Sequence, residues 1–260
     1  MTPLFSTTGF VLRRRAQKEA DRVYTLFSRD LGKIDVLARG GRRLHSKLAP
    51  HLESFSEVRV FLVDGKAGYT LAGSDIEERF VSRGSAIQTA LFTSARHVVD
   101  LVTRWHQEDR LLYDQLLGWM RFCHGVSDLH PARAGLLTSA LGLRMVRHAG
   151  YAPELFCCLA CRRELVPSTM LWSSSRGGVL CAVCATSDRG SWSKHRSVST
   201  DALKLLRFIQ GRTWGDLMKI ELDSRVVEEV QVVIDGLILA HFPVIPSVPI
   251  GAMASVGQGW

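Results

Sequence analysis

Through the first eighty residues apolar and polar positions alternate in short runs. Phe10, Val11 and Leu12 make an apolar stretch, and Val23 to Phe27 is rich in β-branched and aromatic residues. Ile34, Val36 and Ala38 alternate with Lys33, Asp35, Leu37 and Arg39, and Val58, Val60 and Leu62 alternate with Arg59, Phe61 and Val63. A period of two sends neighbouring side chains to opposite faces, which predicts strands with one buried side. Asp64-Gly65-Lys66-Ala67-Gly68 turns the chain into Tyr69-Thr70-Leu71-Ala72, a hairpin by its Asp-Gly signal, and Asp30-Leu31-Gly32 makes another turn. Five short strands of this kind fit a small barrel, for which an OB-fold is a candidate.

Near Gly84 the period changes to steps of three and four. Ile87, Leu91, Ser94, Val98, Leu101, Val102 and Trp105 form one helical stripe; Leu112, Leu116, Trp119, Met120 and Cys123 form a second. Pro131 opens a third, carried by Leu136, Leu137, Ala140, Leu141, Met145 and Ala149, with Gly150 as its stop. Ala202, Leu205, Leu206 and Ile209 predict a fourth helix. Val226, Val227, Val230, Val233, Ile234, Leu237 and Ile238 predict a fifth. From Pro243 the chain is rich in Pro and Gly and reads as a loose or docked tail.

Composition narrows the class. Hydrophobic residues are 46% and charged residues 22% of 260, enough to bury a core. The start is weakly apolar with its arginines after it, the reverse of a secretory signal. The longest uncharged run, Gly236 to Trp260, is broken by Pro243, Pro246 and Pro249, so no spanning helix is expected. The expected location is the cytoplasm. The net charge of +8 points to a polyanion, an acidic partner or an anionic surface. Its placement is uneven: residues 1–50 hold eleven Lys/Arg against four acids, a net +7.

Five of the six cysteines lie between 157 and 184. Cys123 stands alone in a helical pattern and reads as a small core residue. Cys158-Leu-Ala-Cys161 and Cys181-Ala-Val-Cys184 are two knuckles with nineteen residues between them, the spacing of a four-cysteine zinc site. Two residues between cysteines let both thiolates reach one ion, and two knuckles fill a tetrahedral shell. A filled shell leaves no place for a reactive water, so the zinc is expected to be structural. Cys157, three residues further from Cys161 than a direct neighbour, is an alternative to Cys158. The segment 162–200 carries six Lys/Arg against two acids, with Trp172 and Trp192 interleaved. Basic groups neutralise phosphates and aromatic faces stack on bases; the same tryptophans could equally cover a small metal lobe.

Arg39-Gly40-Gly41-Arg42-Arg43 follows the third strand directly, and glycines beside arginines suit a phosphate. Arg13, Arg14, Arg22, Lys33, Arg39, Arg42, Arg43 and Lys47 lie near strand ends or in the joining turns and are the candidate contacts to a polyanion's phosphates, which the resemblance given below makes DNA. Alternation sets Lys33 and Arg39 on one side of the third strand, opposite Ile34 and Val36. No phosphate-loop, Gly-x-Ser-x-Gly or His-Glu-x-x-His pattern occurs, and no acid/base pair is recognisable. The chain is not expected to be an enzyme.

Gly9-Phe-Val-Leu-Arg13, Glu19-Ala-Asp21-Arg22, Tyr24-Thr-Leu-Phe27, Gly32-Lys33, Ala38-Arg39-Gly40, Arg42-Arg43 and Ser46 resemble the opening of the RecO family of bacterial recombination mediators. Ala149-Gly-Tyr-Ala-Pro-Glu-Leu155 running into Cys158-x-x-Cys161 is a second match, in the expected order. The family usually has Lys where this chain has Arg39, which preserves the charge. Some members lose the zinc cysteines, and this chain keeps all four. The resemblance implies an α+β multidomain chain: an N-terminal OB-fold β-barrel, then an α-helical domain carrying a four-cysteine zinc insert. It implies binding to single-stranded and double-stranded DNA, annealing of complementary strands, and partnership with RecR and with the acidic C-terminal tail of single-strand-binding protein, docked somewhere on residues 84–240. A nucleoid-associated location goes with that role. The expected division is 1–80 barrel, 81–154 with 198–242 helical, 155–197 zinc insert and 243–260 tail. The competing reading is an RNA-binding or ribosome-associated zinc-ribbon protein.

Overall fold

The structure is a computed structural model that describes residues 4–17, 19–41, 52, 55–65, 68–80, 86–127, 129–166, 170–187 and 196–242. Arg42, Arg43, Lys47, Trp192 and the Pro/Gly-rich tail lie outside them. The chain divides into two compact units, 1–127 and 128–260. The first two helices thus fall with the barrel, rather than with the later helices among which the sequence grouped them.

In the first unit, β1 (Leu4–Gln17), β2 (Asp21–Ser28), β3 (Gly32–Ala38), β4 (Ser56–Gly65) and β5 (Gly68–Arg79) close into a barrel in the order β1-β2-β3-β5-β4. This is the connectivity of the five-stranded OB barrel that the alternation suggested. Neighbours are antiparallel except β3 and β5, which pair in parallel through Val36↔Tyr69 and Leu37↔Thr70. The interior holds the expected faces: Ile34, Val36 and Ala38; Val58, Val60 and Leu62; Tyr24 and Leu26; Val11 and Leu71. Gly32 and Gly68 take positive φ in the two predicted turn segments, and Gly65 pairs with Gly68 where β4 meets β5.

β1 holds a bulge. Gly9, Phe10 and Val11 face Ser28, Phe27 and Leu26, but Arg13 then faces Thr25, which leaves Leu12 as the extra residue. A bulge reverses the alternation beyond it and leaves a ladder group unpaired. The Leu12 carbonyl is taken by Arg96, whose Nη1 donates to it at 3.0 Å. Arg13 and Arg15 consequently point outward, whereas Arg14 shares the face of Tyr24.

Helices α1 (Ala86–Val102) and α2 (Arg110–His124) cover part of the barrel exterior. Phe10 and Phe27 pack on Tyr113 of α2 at 5.0 and 5.7 Å between ring centroids. The Tyr113 hydroxyl donates to the buried Glu57 carboxylate at 2.8 Å. The α2 stripe is buried as expected, Cys123 included. Trp105 departs from its expected place in the α1 stripe. The helix stops at Val102, and Trp105 is 47% exposed beyond it.

The second unit is helical around a small sheet. Helix α3 (Pro131–His148) starts at Pro131 and stops before Gly150, whose φ is +92°, as expected. It packs on α5 (Thr200–Gly211), α6 (Trp214–Leu217) and α7 (Ser224–His241), the last two bounded by side-chain caps at Thr213 and Asp223. Arg144 and Arg147 of α3 reach the carbonyls of Arg212 and Gln210 at the end of α5. Cations there complement the negative end of a helix. The sheet, β7-β6-β8 with β6 (Met170–Ser173), β7 (Gly178–Leu180) and β8 (Arg196–Val198), went unforeseen in the sequence, as did the short helix α4 (Ala182–Ser187).

Candidate metal centre and nucleic-acid interface

The cysteine site is built on the β6–β7 hairpin. Gly178 pairs with Glu154 and lies so close that a Cβ would sit 2.9 Å from the Glu154 carbonyl oxygen. The Leu159 amide donates to Val179 at 2.9 Å, which draws the first knuckle onto β7. Arg162, in the left-handed region at φ 61°, reverses the chain just after Cys161. The second knuckle leaves β7 and runs directly into α4.

The sulfurs of Cys158, Cys161, Cys181 and Cys184 all lie within 4.8 Å of one another. Tetrahedral zinc at about 2.3 Å from each sulfur would separate them by about 3.8 Å, and Cys161 and Cys181 are 3.9 Å apart. The residues therefore fit the ion. Of Cys157 and Cys158, the cluster includes Cys158. Cys157 falls outside the cluster, and its amide donates instead to Glu154 at 3.0 Å. Burial raises the Cys158 thiol, but amide donors from Cys181, Cys161 and Ala160 outweigh it and bring it down to about 6. Hydrogen bonds with Cys161 and Cys181 push Cys184 up to about 12. Four sulfurs so close cannot all be thiolates unless a cation offsets their repulsion.

The basic candidates separate into three groups. Lys33 is removed from the interface. It faces away from Ile34 as the alternation required, but α1 covers that face. Lys33 is only 5% exposed, and its Nζ donates to the Asp100 carbonyl at 2.5 Å and sits 3.3 Å from the Asp100 carboxylate. Burial lowers its pKa, and Asp100 opposes that. Arg13 is half exposed but also engaged, its Nε 2.7 Å from Asp100. Arg14, Arg22 and Arg39 form the second group. None has a carboxylate ion partner among the described residues. The ladder pairs Arg14 with Tyr24, Ala16 with Arg22, and Arg22 with Ala38. Arg14 and Arg22 are thus diagonal neighbours on one face, about 7–8 Å apart, with Arg39 at the start of the adjoining turn. Gly40, at φ +65°, shapes that turn, and its amide donates to Asp21 at 2.9 Å. Arg42, Arg43 and Lys47, the third group, lie outside the described residues.

Asp100, Arg96 and His97 were missed in the sequence because they sit on an ordinary helix. Only the pairing of α1 with Lys33, sixty-seven residues away, shows their role. His97 has a buried Nε2 with no hydrogen-bond partner among the described residues. Burial holds its pKa below the ordinary 6.5, Asp100 pulls upward, and Arg96 and Arg13 push further down. The unfolded chain therefore binds this proton more tightly than the folded one. Its contribution is fully favourable above pH 6.5 and is lost as pH falls below that value. His97→Gln should flatten the acid limb of the unfolding free energy against pH. An acid limb as steep as in the parent protein would contradict this.

The chain matches the family model described as recombination protein O N terminal over residues 1–80, and that for the C terminal over residues 87–246. The DNA repair protein RecO of a Roseiflexus species is 31% identical over 210 residues, covering 80% of this chain and 71% of that protein. That of Dehalococcoides mccartyi is 28% identical over 233 residues, covering 88% and 87%. That of Symbiobacterium thermophilum is 28% identical over 244 residues, covering 92% of each. No described helix is long and apolar enough to cross a membrane.

Proposed function

The chain belongs to the RecO family of DNA repair proteins, and on that premise we propose that it is a recombination mediator. It binds single-stranded and double-stranded DNA, anneals complementary strands, and with RecR helps replace single-strand-binding protein by recombinase. The observation that carries the DNA-binding part is the arginine group Arg14, Arg22 and Arg39 at one end of the β1–β2–β3 ladder, none with an ion partner among the described residues. In OB barrels the strand 2–3 face and its adjoining loops hold oligonucleotides. A guanidinium that makes no ion pair with a carboxylate among the described residues is ready for a phosphate. Arg42, Arg43 and Lys47 would extend the group along the chain.

Annealing follows from charge alone. Two strands repel through their phosphates, and a basic face that neutralises both lowers the repulsion while leaving base edges free to pair. No covalent step is required. Zinc on Cys158, Cys161, Cys181 and Cys184 would hold the small lobe together and takes no part in chemistry, because four sulfurs complete its shell. RecR and the acidic tail of single-strand-binding protein complete the reading as partners, and the nucleoid is the location that suits it.

Each phosphate contact to a single strand adds about 0.7 to the slope of log K against log salt. Replacing Arg14, Arg22 and Arg39 together by Ala should therefore flatten the slope by about 2. It should also slow annealing of complementary oligonucleotides, with or without single-strand-binding protein on them. Arg207 and Arg212 make poor controls. The Arg207 Nε donates to the Leu155 carbonyl at 2.9 Å, and Arg212 accepts from Arg144. Lys219, 80% exposed, and the exposed Arg225 are better. If Lys219→Ala with Arg225→Ala weakens binding as much as the triple change, the barrel-end assignment is wrong.

A further inference from the structure

The segment that follows α1 lies against the edge of β3. Lys33 and Trp105 form a parallel bridge; the Lys33 amide donates to the Arg104 carbonyl at 3.3 Å, and the His106 amide donates to the Lys33 carbonyl at 2.9 Å. Trp105 is held by its backbone on both sides, yet its side chain is 47% exposed. His106 takes the left-handed region at φ 54°, a conformation disfavoured for residues with a Cβ, and turns the chain away just after the tryptophan. Beneath the ring, the Lys33 ammonium sits 5.2 Å from its centroid. Beside it, Arg104 is exposed and has no carboxylate ion partner among the described residues.

An exposed indole is costly to leave in water. Lys33 lies below it and Arg104 beside it; Lys33 and Arg13 are both held by Asp100, so Arg104 is the cation left to meet a phosphate. A fixed aromatic face among cations is the arrangement that holds unpaired bases, because the ring stacks on the base while the cations meet the flanking phosphates. The negative face of the ring quadrupole disfavours a carboxylate stacked on it, and planarity favours a base over an aliphatic side chain. The ring also sits on the edge of β3, one of the two strands whose outer face carries nucleic acid in OB barrels.

We propose that Trp105 is a base-stacking platform for single-stranded nucleic acid, fixed in place by its bridge to Lys33 before any strand arrives. This rests on the DNA-binding reading above and adds to it a contact with bases rather than phosphates. Since the backbone is already ordered, the stack forms with little loss of chain entropy.

The test compares two ligands on the full chain: an oligothymidylate of about twenty nucleotides, and an abasic oligomer of the same charge. Trp105→Ala should weaken oligothymidylate binding by about tenfold, the size of one base stack. It should leave abasic-oligomer binding and the salt slope unchanged. Trp105→Phe should keep most of the affinity and Trp105→Leu should lose it, which separates a π-face from simple apolar bulk if the Ala variant folds poorly. Equal binding of oligothymidylate by the parent and Trp105→Leu overturns the proposal. So does an equal loss on both ligands, which would mark a backbone contact. If the arginine triple variant loses binding while Trp105→Leu does not, the stacking idea alone falls. If the parent chain binds neither oligomer, the DNA-binding reading falls with it.

Discussion

Replacing Cys158 or Cys184 by Ser should empty the metal site and unfold the lobe around it. A structural zinc contributes on the order of 10 kcal/mol to a small lobe of this kind. Little else holds this one. Among the described residues its buried apolar side chains are Leu155, Leu165, Met170, Trp172, Val179, Leu180 and Val198, beside Cys158 itself. Its sheet strands are three or four residues long, and a sheet that short does not persist without a further support. With one sulfur gone, only three of the four clustered ligands remain for a shell that needs four. Limited proteolysis should then cut between the knuckles, while the barrel, which buries its own core of Ile34, Val36, Val58, Val60 and Leu62, stays resistant. Cys157→Ser should do neither, since Cys157 stands outside the cluster. Elemental analysis of protein purified without chelator should find about one zinc per chain, and less than about half would count against a structural site.

The sequence could be read where short-range rules govern and failed where distant segments meet. Alternation along Ile34, Val36 and Ala38 gave the buried face of β3, because a strand must bury one side. The paired knuckles gave the four sulfurs, because ligand spacing is local. The alternation also put Lys33 on the outer face correctly, but an outer face need not be a wet one. Asp100 covers it, and no local pattern reports a contact across sixty-seven residues. The bulge at Leu12 was hidden for a similar reason. It shows only when β1 is aligned with β2, and it decides which of Arg13 and Arg14 points outward. Trp105 fits a helical stripe by its step from Val98 and Val102. The helix ends three residues earlier, and the tryptophan belongs to a strand-like bridge instead. The hairpin of β6 and β7 escaped notice because its strands are too short to display a period.

Gly32→Ala should destabilise the barrel unit far more than an ordinary glycine replacement. Gly32 ends the β2–β3 turn at φ +68°, a conformation that costs an alanine about 1–2 kcal/mol. A second cost arises from space. A Cβ at Gly32 would fall on the backbone of Gln107, which cannot retreat as a flexible side chain would. The segment 104–107 must then lift from β3, losing the bonds between Lys33 and Arg104 and between His106 and Lys33. Lifting it also uncovers Lys33, whose ammonium rests on Asp100. The combined loss is expected at about 3–5 kcal/mol, in the range of strained and overpacked sites. Gly68 supplies the control. It has φ +98°, but a Cβ there meets nothing within 4 Å, so Gly68→Ala should cost only the conformational part. The two substitutions share a backbone penalty, and the difference between them measures the contact. Denaturant unfolding, with hydrogen exchange at the β3 amides to report on the barrel unit alone, reads both. Equal losses at Gly32 and Gly68 would mean that the 104–107 segment is not packed on β3. The base-stacking platform at Trp105 would then lose the support on which it was argued.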